Sequence, residues 1–285
     1  MGWGNRLLLV PHVVRLGIRA PRDVGSRWDR YWADVGATGD GGDVLWDSSD
    51  PAESQRYADL LVAEADLRLP VVDIGCGNGR FTRALAARFP RAIGLDLSAH
   101  AVERALQEGR DLPPPPAPVD FRAEDMTADG AGRRLAAEFG RCNVFVRGVL
   151  HVLDPPARRR LAANIRALVG AEGTVLVAET NYPGPLLGYL ESLGAGSRGV
   201  PHALARAISA GIPRPVPFGA AELEDCFPSG AWDRVLLDEK ASITAVPMQR
   251  ANVPESIPAL VAVLRRRGVA GSTYVPGGPP EDVGA

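Results

Sequence analysis

The segment 71-VVDIGCGNGRFTRALA-86 decides the fold. A short apolar run, suited to a buried strand, ends in Asp73. Gly75, Gly77 and Gly79 follow at every second position, and a helical pattern with Phe81, Leu85 and Phe89 on one face begins at once. A glycine-rich bend between strand and helix lets the backbone come close to a ligand, because a Cβ there would collide with it. A phosphate-binding loop of the GxxxxGK[ST] kind needs a lysine, and this stretch has none. A dinucleotide fingerprint needs a third glycine where Arg80 stands. The spacing is instead Asp-x-Gly-x-Gly-x-Gly.

The acid narrows the ligand further. A pyrophosphate at the bend would face the Asp73 carboxylate, and like charges roughly 4 Å apart cost about 1 kcal/mol in water and more in a crevice. The bend therefore predicts a ligand without phosphates, with a cationic group near Asp73 and a carboxylate for the helix N-terminus. Twenty-three residues after Asp73, the strand AIGLDLS (92–98) reaches Asp96, placed where an acid accepts hydrogen bonds from a ribose diol. The strand VDFRAEDM (119–126) ends in Glu124, Asp125 and Met126. Asp125 is positioned to accept from an adenine amine, and Met126 to pack on the base. Amino acid, ribose and adenine without phosphate describe S-adenosylmethionine.

Outward from this segment the chain alternates. Strands at 142–150 and 173–180 follow, with helices at 98–109, 131–139 and 154–170; Ser98 and Asp154 are N-caps, and Pro155 takes the first helical position. Five short apolar strands separated by helices predict an α/β fold: a Rossmann-like, doubly wound, mostly parallel sheet. Ligands then sit outside the carboxyl ends of the strands. Residues 232–247 and 257–265 read as closing strands. Upstream, 51–66 is a helix and 22–34 an aromatic one, with Trp28, Tyr31 and Trp32 on a shared face. The expected organisation is an N-terminal helical lid over 1–50, a main domain over 51–275 with a substrate-side insertion at 181–219, and a disordered tail over 276–285. The insertion is rich in Gly and Pro and predicts one or two helices, such as 202–210.

The run VVDIGCGNGRFTRALA, then AIGLDLS, then AEDM, then VFVRGVLHVL, resembles the class I S-adenosylmethionine-dependent methyltransferases. The resemblance covers about residues 55–180 and the closing strands. It implies a seven-stranded sheet whose last strand is antiparallel. It also implies cofactor contacts at Asp73, Gly75, Gly77, Asp96 and Asp125, and backbone contact near Arg147. Cys76, Leu97 and Met126, neighbours of these positions, complete the candidate cofactor set, with Cys76 read as a small filler and not a nucleophile. Many members of the family carry Asp where this chain has Asn143.

The acceptor side is less legible. His151, after the fourth strand, is either a general base for an oxygen or nitrogen nucleophile or a packing histidine at a strand end. Trp28, Tyr31 and Trp32 are candidates for a cover over the site, with docking of their helix on the core as the alternative, and Trp46 either lines the acceptor pocket or fastens the loop. Tyr182 and His202, in the insertion, are candidates for a substrate wall. Net charge of −2 and pI near 6.1 give no basic footprint for nucleic acid. The apolar run from Leu7 to Ile18 is too short to span a bilayer. Cys76, Cys142 and Cys226 are isolated, which suggests neither a disulfide framework nor a zinc site and points to a reduced, cytoplasmic compartment. The expectation is a small-molecule methyltransferase, monomer or homodimer, of the natural-product tailoring kind. The alternatives are a non-methyl-transfer reaction such as cyclisation on the same fold, or a non-catalytic binding module.

Overall fold

The strands are short and apolar because both faces of the sheet are covered. In β1 (Val71–Ile74), β2 (Ala92–Asp96) and β5 (Thr174–Thr180) every residue is buried, as is all of β4 (Asn143–Arg147) except its last residue. The computed structural model describes residues 10–11, 13–16, 21, 23–39, 41–47, 51–196, 199–245 and 255–267. Half of the apolar run from Leu7 to Ile18, and all of the tail expected over 276–285, lie outside them.

Seven strands form one sheet in the order β3-β2-β1-β4-β5-β7-β6. β1 pairs in parallel with β2 and β4, β2 with β3 (Val119–Ala123), and β4 with β5. The closing strand β7 (Glu255–Arg266) runs antiparallel to β5 and to β6 (Trp232–Ala245), as expected. The order reverses at β1, so the carboxyl ends of β1, β2 and β4 open a crevice there.

Helices cover both faces. α1 (Val24–Ala33) lies upstream of the sheet, and α2 (Pro51–Val62) with α3 (Arg80–Leu85) cover one face through Tyr57, Leu61 and Leu85. α4 (Ala99–Arg110) follows β2, with Ser98 Oγ accepting from the Ala101 N–H as its cap. α5 (Ala131–Phe139) and α6 (Pro155–Val169) cover the other face through Leu135, Leu161, Ile165 and Leu168. The insertion holds two helices, α7 (Leu186–Ser192) and α8 (His202–Ala210). A further helix, α9 (Ala220–Cys226), was not legible as a periodic pattern; its signal is local, with Glu222 reaching back to accept from the Gly219 N–H at 2.9 Å, one half of a capping box. The helix expected over 79–89 stops at Leu85, and the third strand at Ala123, so Glu124 to Met126 form a loop.

One contact ties this framework to the crevice. Asn164, buried on α6, donates to the carbonyls of Met126 (2.9 Å) and Ala128 (2.8 Å) and accepts from the Gly132 N–H (3.1 Å). A Cβ on Gly132 would overlap the Asn164 backbone. Gly132→Ala is therefore expected to destabilise the protein by about 2 kcal/mol, read as a lower denaturant midpoint at unchanged slope. An unchanged midpoint would mean that α5 and α6 are free to move apart.

Candidate active site

A cleft with about 1180 Å³ of open space, mouth included, lies at the carboxyl edge of the strands. Its lining comes from the ends of β1, β2 and β4, from the loop after β3, and from the N-terminal segment. Asp73, Gly75, Cys76, Gly77, Asp96, Leu97, Asp125, Met126 and Arg147 all border it. So do Trp28, Trp32 and Trp46.

The bend is built from three glycines in the left-handed region, with φ of 77° at Gly75, 53° at Gly77 and 73° at Gly79. Their missing Cβ atoms make room for the protein itself. A Cβ on Gly75 would overlap Val149, one on Gly77 would come within 2.9 Å of the Trp32 ring, and one on Gly79 would overlap the Phe121 ring. These contacts with the protein stand beside the approach to a ligand expected from the sequence. Glycine is required here by backbone conformation and by the close approach of Trp32 and Val149.

Asp73 is buried, and its Oδ2 accepts from the Thr82 hydroxyl at 2.6 Å. Burial raises its pKa to about 7, and the negative charge of Asp96 adds to the effect. Asp96 holds the bend in place: its Oδ2 accepts from the Gly77 N–H and its Oδ1 from the Ser98 N–H, both at 2.9 Å. Burial raises its pKa to about 6, against the pull of those two N–H groups. Arg147 is the nearby cation, yet its guanidinium is engaged elsewhere. It donates to Glu53 (3.0 Å) and to the Trp46 carbonyl (3.0 Å), and lies over the Phe81 ring at 5.0 Å. Two desolvated carboxylates thus share a cleft with too little positive charge, the condition under which a cationic ligand gains most. Asp125 sits at the exposed rim, its Oδ1 accepting from the Thr127 N–H (2.8 Å) and hydroxyl (2.7 Å). Cys76 is buried and its thiol is held well above its ordinary pKa by burial, so it is a neutral filler.

The N-terminal segment closes over this bend. Ser98 donates to Asp29 of α1 at 2.8 Å, Thr38 to Glu108 at 2.6 Å, and Arg104 to the Val35 carbonyl. Asp47 accepts from Asn78 of the bend at 3.0 Å and from the Gly39 N–H at 2.6 Å. Trp28 and Trp46 stack at 6.2 Å between centroids. Tyr31, by contrast, is fully buried beneath them, taking the Leu45 N–H on its hydroxyl at 3.3 Å, and does not border the cleft. It fastens the cover and faces no substrate.

Three other expected site residues fall elsewhere. His151 is 1% exposed and off the cleft, its Nδ1 bonded to Glu179 at 2.6 Å. A histidine so enclosed does not meet an acceptor, and the general-base reading is withdrawn. His202 is exposed, pairs with Asp43 at 3.2 Å and borders neither this cleft nor the cavity at the end of β5. Tyr182 borders a second cavity, at the end of β5.

Sequence reasoning missed Glu179, which explains His151. This wholly buried carboxylate accepts from the N–H groups of Val149 (3.0 Å), Leu150 (2.9 Å) and His151 (3.2 Å) as well as from the imidazole. It gathers the turn after β4 and so sets Gly148 and Val149 against the cleft. No local pattern announces this, because its partners lie about thirty residues upstream. Glu179→Gln places an amide donor among donors and is expected to cost about 2 kcal/mol of stability. Chemical denaturation measures it, and a variant as stable as the parent would remove the carboxylate from this role.

Residues 71–173 match the family model of the methyltransferase domain. Among solved structures the chain is similar to an S-adenosylmethionine-dependent methyltransferase from Anabaena variabilis, at 24% identity over 87% of this chain and 97% of that one, with a TM-score of 0.72. It is similar to a protein from work on the conversion of a disulfide bond into a thioacetal group during echinomycin biosynthesis, at 20% identity over 90% and 91%, TM-score 0.52. It is also similar to magnesium protoporphyrin IX methyltransferase from Synechocystis, at 18% identity over 85% and 93%, TM-score 0.50. At these identities the likeness is one of fold. The sheet order and the domain match define the class as far as fold: residues 71–173 form a methyltransferase domain, within a chain that has the fold of the S-adenosylmethionine-dependent methyltransferases. A methyltransferase domain implies a methyl donor, and the chemistry of the cleft suits S-adenosylmethionine, because two carboxylates short of positive charge would face a ligand that carries positive charge and no phosphate.

Proposed function

We propose that the protein methylates a nucleophilic atom of a small-molecule acceptor, natural products included. The observation that carries the reading is the enclosed cleft, edged by Asp73 and Asp96 and covered by Trp28, Trp32 and Trp46. Its aromatic cover suits a small organic molecule, and the net charge of −2 supplies no basic surface for nucleic acid. A shared fold does not choose the acceptor; the walls of the cleft do.

In this reading Asp73 meets the ammonium group of the methyl donor, Asp96 accepts from its ribose hydroxyls, and Asp125 with Met126 borders its adenine. Gly75, Cys76, Gly77, Leu97 and the Arg147 backbone complete the contacts. When bound, S-adenosylmethionine supplies a sulfonium methyl that an oxygen, nitrogen, sulfur or carbon nucleophile takes, leaving S-adenosylhomocysteine. The chain's own work is alignment and exclusion of water. The 149–151 turn, held by Glu179, fixes one wall; the α1 cover, with residues 35–47, shuts out solvent and acts as the lid. Of the carboxylates on the cleft other than Asp73 and Asp96, Asp47 is bonded to Asn78 and the Gly39 N–H, Glu124 to Arg134, and Asp125 to Thr127, so the reading is alignment and not a dedicated base. The cytoplasm, a reduced compartment, fits three buried cysteines that remain thiols.

The test is transfer of labelled methyl from S-adenosylmethionine into an extract or small-molecule library. Label is expected in a low-mass product, with one S-adenosylhomocysteine released per product formed. Label in protein or nucleic acid would overturn the small-molecule reading, and product formed without S-adenosylhomocysteine would overturn methyl transfer.

A further inference from the structure

The methyl-transfer reading leaves a second cavity unused. It has about 600 Å³ of open space, mouth included, and lies at the carboxyl end of β5. Thr180, Tyr182, Tyr189, Arg214, Pro215 and Pro217 contribute to its lining. The Tyr182 ring packs edge-on to Tyr189 at 5.4 Å and is seated against two glycines: a Cβ on Gly184 would overlap the ring, and one on Gly188 would come within 3.0 Å of its hydroxyl. The opposing segment is pinned to the sheet edge. The Val216 N–H donates to the His151 carbonyl at 3.0 Å, and the Phe218 N–H to the Thr180 carbonyl at 3.2 Å. The cavity is therefore anchored to the same turn after β4 that borders the cofactor cleft.

Its polar groups are unspent. Thr180 is buried, and among the described residues its hydroxyl has no hydrogen-bond partner. The indole N–H of Trp46 faces the buried Tyr189 hydroxyl from the cleft side as a donor, which leaves the Tyr189 O–H itself to give. Buried polar atoms left unpaired are costly, and they mark places where a ligand restores the missing bonds. Arg214 is exposed, and no carboxylate pairs with it among the described residues. One planar guanidinium beside apolar walls suits a single carboxylate. A phosphate dianion would ask for more than one cation.

We infer that this cavity is the second subsite of the acceptor and that the acceptor carries a carboxylate. Its anionic end pairs with Arg214, its body lies along Tyr182, Pro215 and Pro217, and Thr180 and Tyr189 donate to it. The reacting end passes Trp46 into the cofactor cleft. This rests on the methyl-transfer reading for the role of the cleft, and the experiment separates the two.

Phenylacetate and 4-phenylbutyrate, their primary amides, and phenyl phosphate are titrated into the full chain saturated with S-adenosylhomocysteine, with calorimetry as the readout. The carboxylates are expected to bind at least tenfold more tightly than their amides and more tightly than phenyl phosphate. In Arg214→Gln the preference over the amides is expected to vanish while affinity for S-adenosylhomocysteine stays the same. Thr180→Val is expected to weaken the carboxylates and leave S-adenosylhomocysteine untouched. Equal binding of acids and amides, tighter binding of phenyl phosphate, or a preference that survives Arg214→Gln would overturn the subsite. Failure of S-adenosylhomocysteine itself to bind would instead overturn the reading of the cleft.

Discussion

Asp73→Asn is expected to weaken S-adenosylhomocysteine binding by about 100-fold at pH 8 and, at the same pH, to make the ligand-free protein more stable. Both effects have one cause. Asp73 is buried, its pKa is raised to about 7, and the available cation, Arg147, is already bonded to Glu53. Ionising it costs the empty protein free energy that a ligand ammonium returns. Asparagine keeps an acceptor for the Thr82 hydroxyl and removes the charge. The lost charge-assisted contact is worth roughly 1.5–3 kcal/mol, which sets the loss of affinity. A pKa raised by about three units sets a ceiling of about 4 kcal/mol on the gain in apo stability. With relaxation we expect about 1–2 kcal/mol, a rise in Tm of roughly 2–8 °C. Calorimetric titration with thermal melts at pH 8 and pH 4 measures both halves. The melting gain belongs to pH 8 only, since at pH 4 the wild-type carboxyl is already neutral. A variant that binds as tightly as the parent would put the ammonium elsewhere.

The second large effect is on pH. The folded pKa values of Asp73 and Asp96 lie above the ordinary 3.8, at about 7 and about 6. Their contribution to apo stability is therefore complete below pH 3.8 and is lost as pH rises through 6 to 7. Ligand affinity moves the other way, because the bound form requires both carboxylates ionised. Between pH 7.5 and pH 5.5 the dissociation constant of S-adenosylhomocysteine is expected to rise roughly 30- to 100-fold, with protons released on binding near neutral pH. Titrations in buffers of different ionisation enthalpy count those protons. An affinity flat across this range would show that neither acid changes its charge on binding.

The parts of this site that were legible are those encoded locally. Asp73 stands at a strand end with its glycines two residues apart, Asp96 ends the next strand, and Asp125 lies in the loop just past the third, so one crevice edge is written in three short stretches. The alternation of apolar runs and helical patterns implied the parallel, doubly wound sheet, and the family resemblance implied its antiparallel closing strand. What escaped depends on long-range pairing. Asp47 reaches Asn78 across thirty-one residues, and Glu179 gathers the turn that carries His151 from a strand away. His151 looked like a base because it follows a strand at the reactive edge; the fold turns it inward onto Glu179. Tyr31 shared a helical face with Trp28 and Trp32, yet the face is wide enough that one of its three rings lies beneath the other two. The glycines were placed correctly, but their neighbours are Val149, Trp32 and Phe121, which no spacing reveals.

The central claim is that an acid-guarded glycine bend selects a phosphate-free, cationic nucleoside. Its most direct test is competition in one cleft, with S-adenosylhomocysteine, ATP and NAD titrated separately and then against one another at pH 8, followed by calorimetry. We predict one S-adenosylhomocysteine bound per chain at micromolar or tighter affinity, not displaced by either phosphorylated nucleotide. Tighter binding of ATP or NAD, or no binding of S-adenosylhomocysteine, would contradict it.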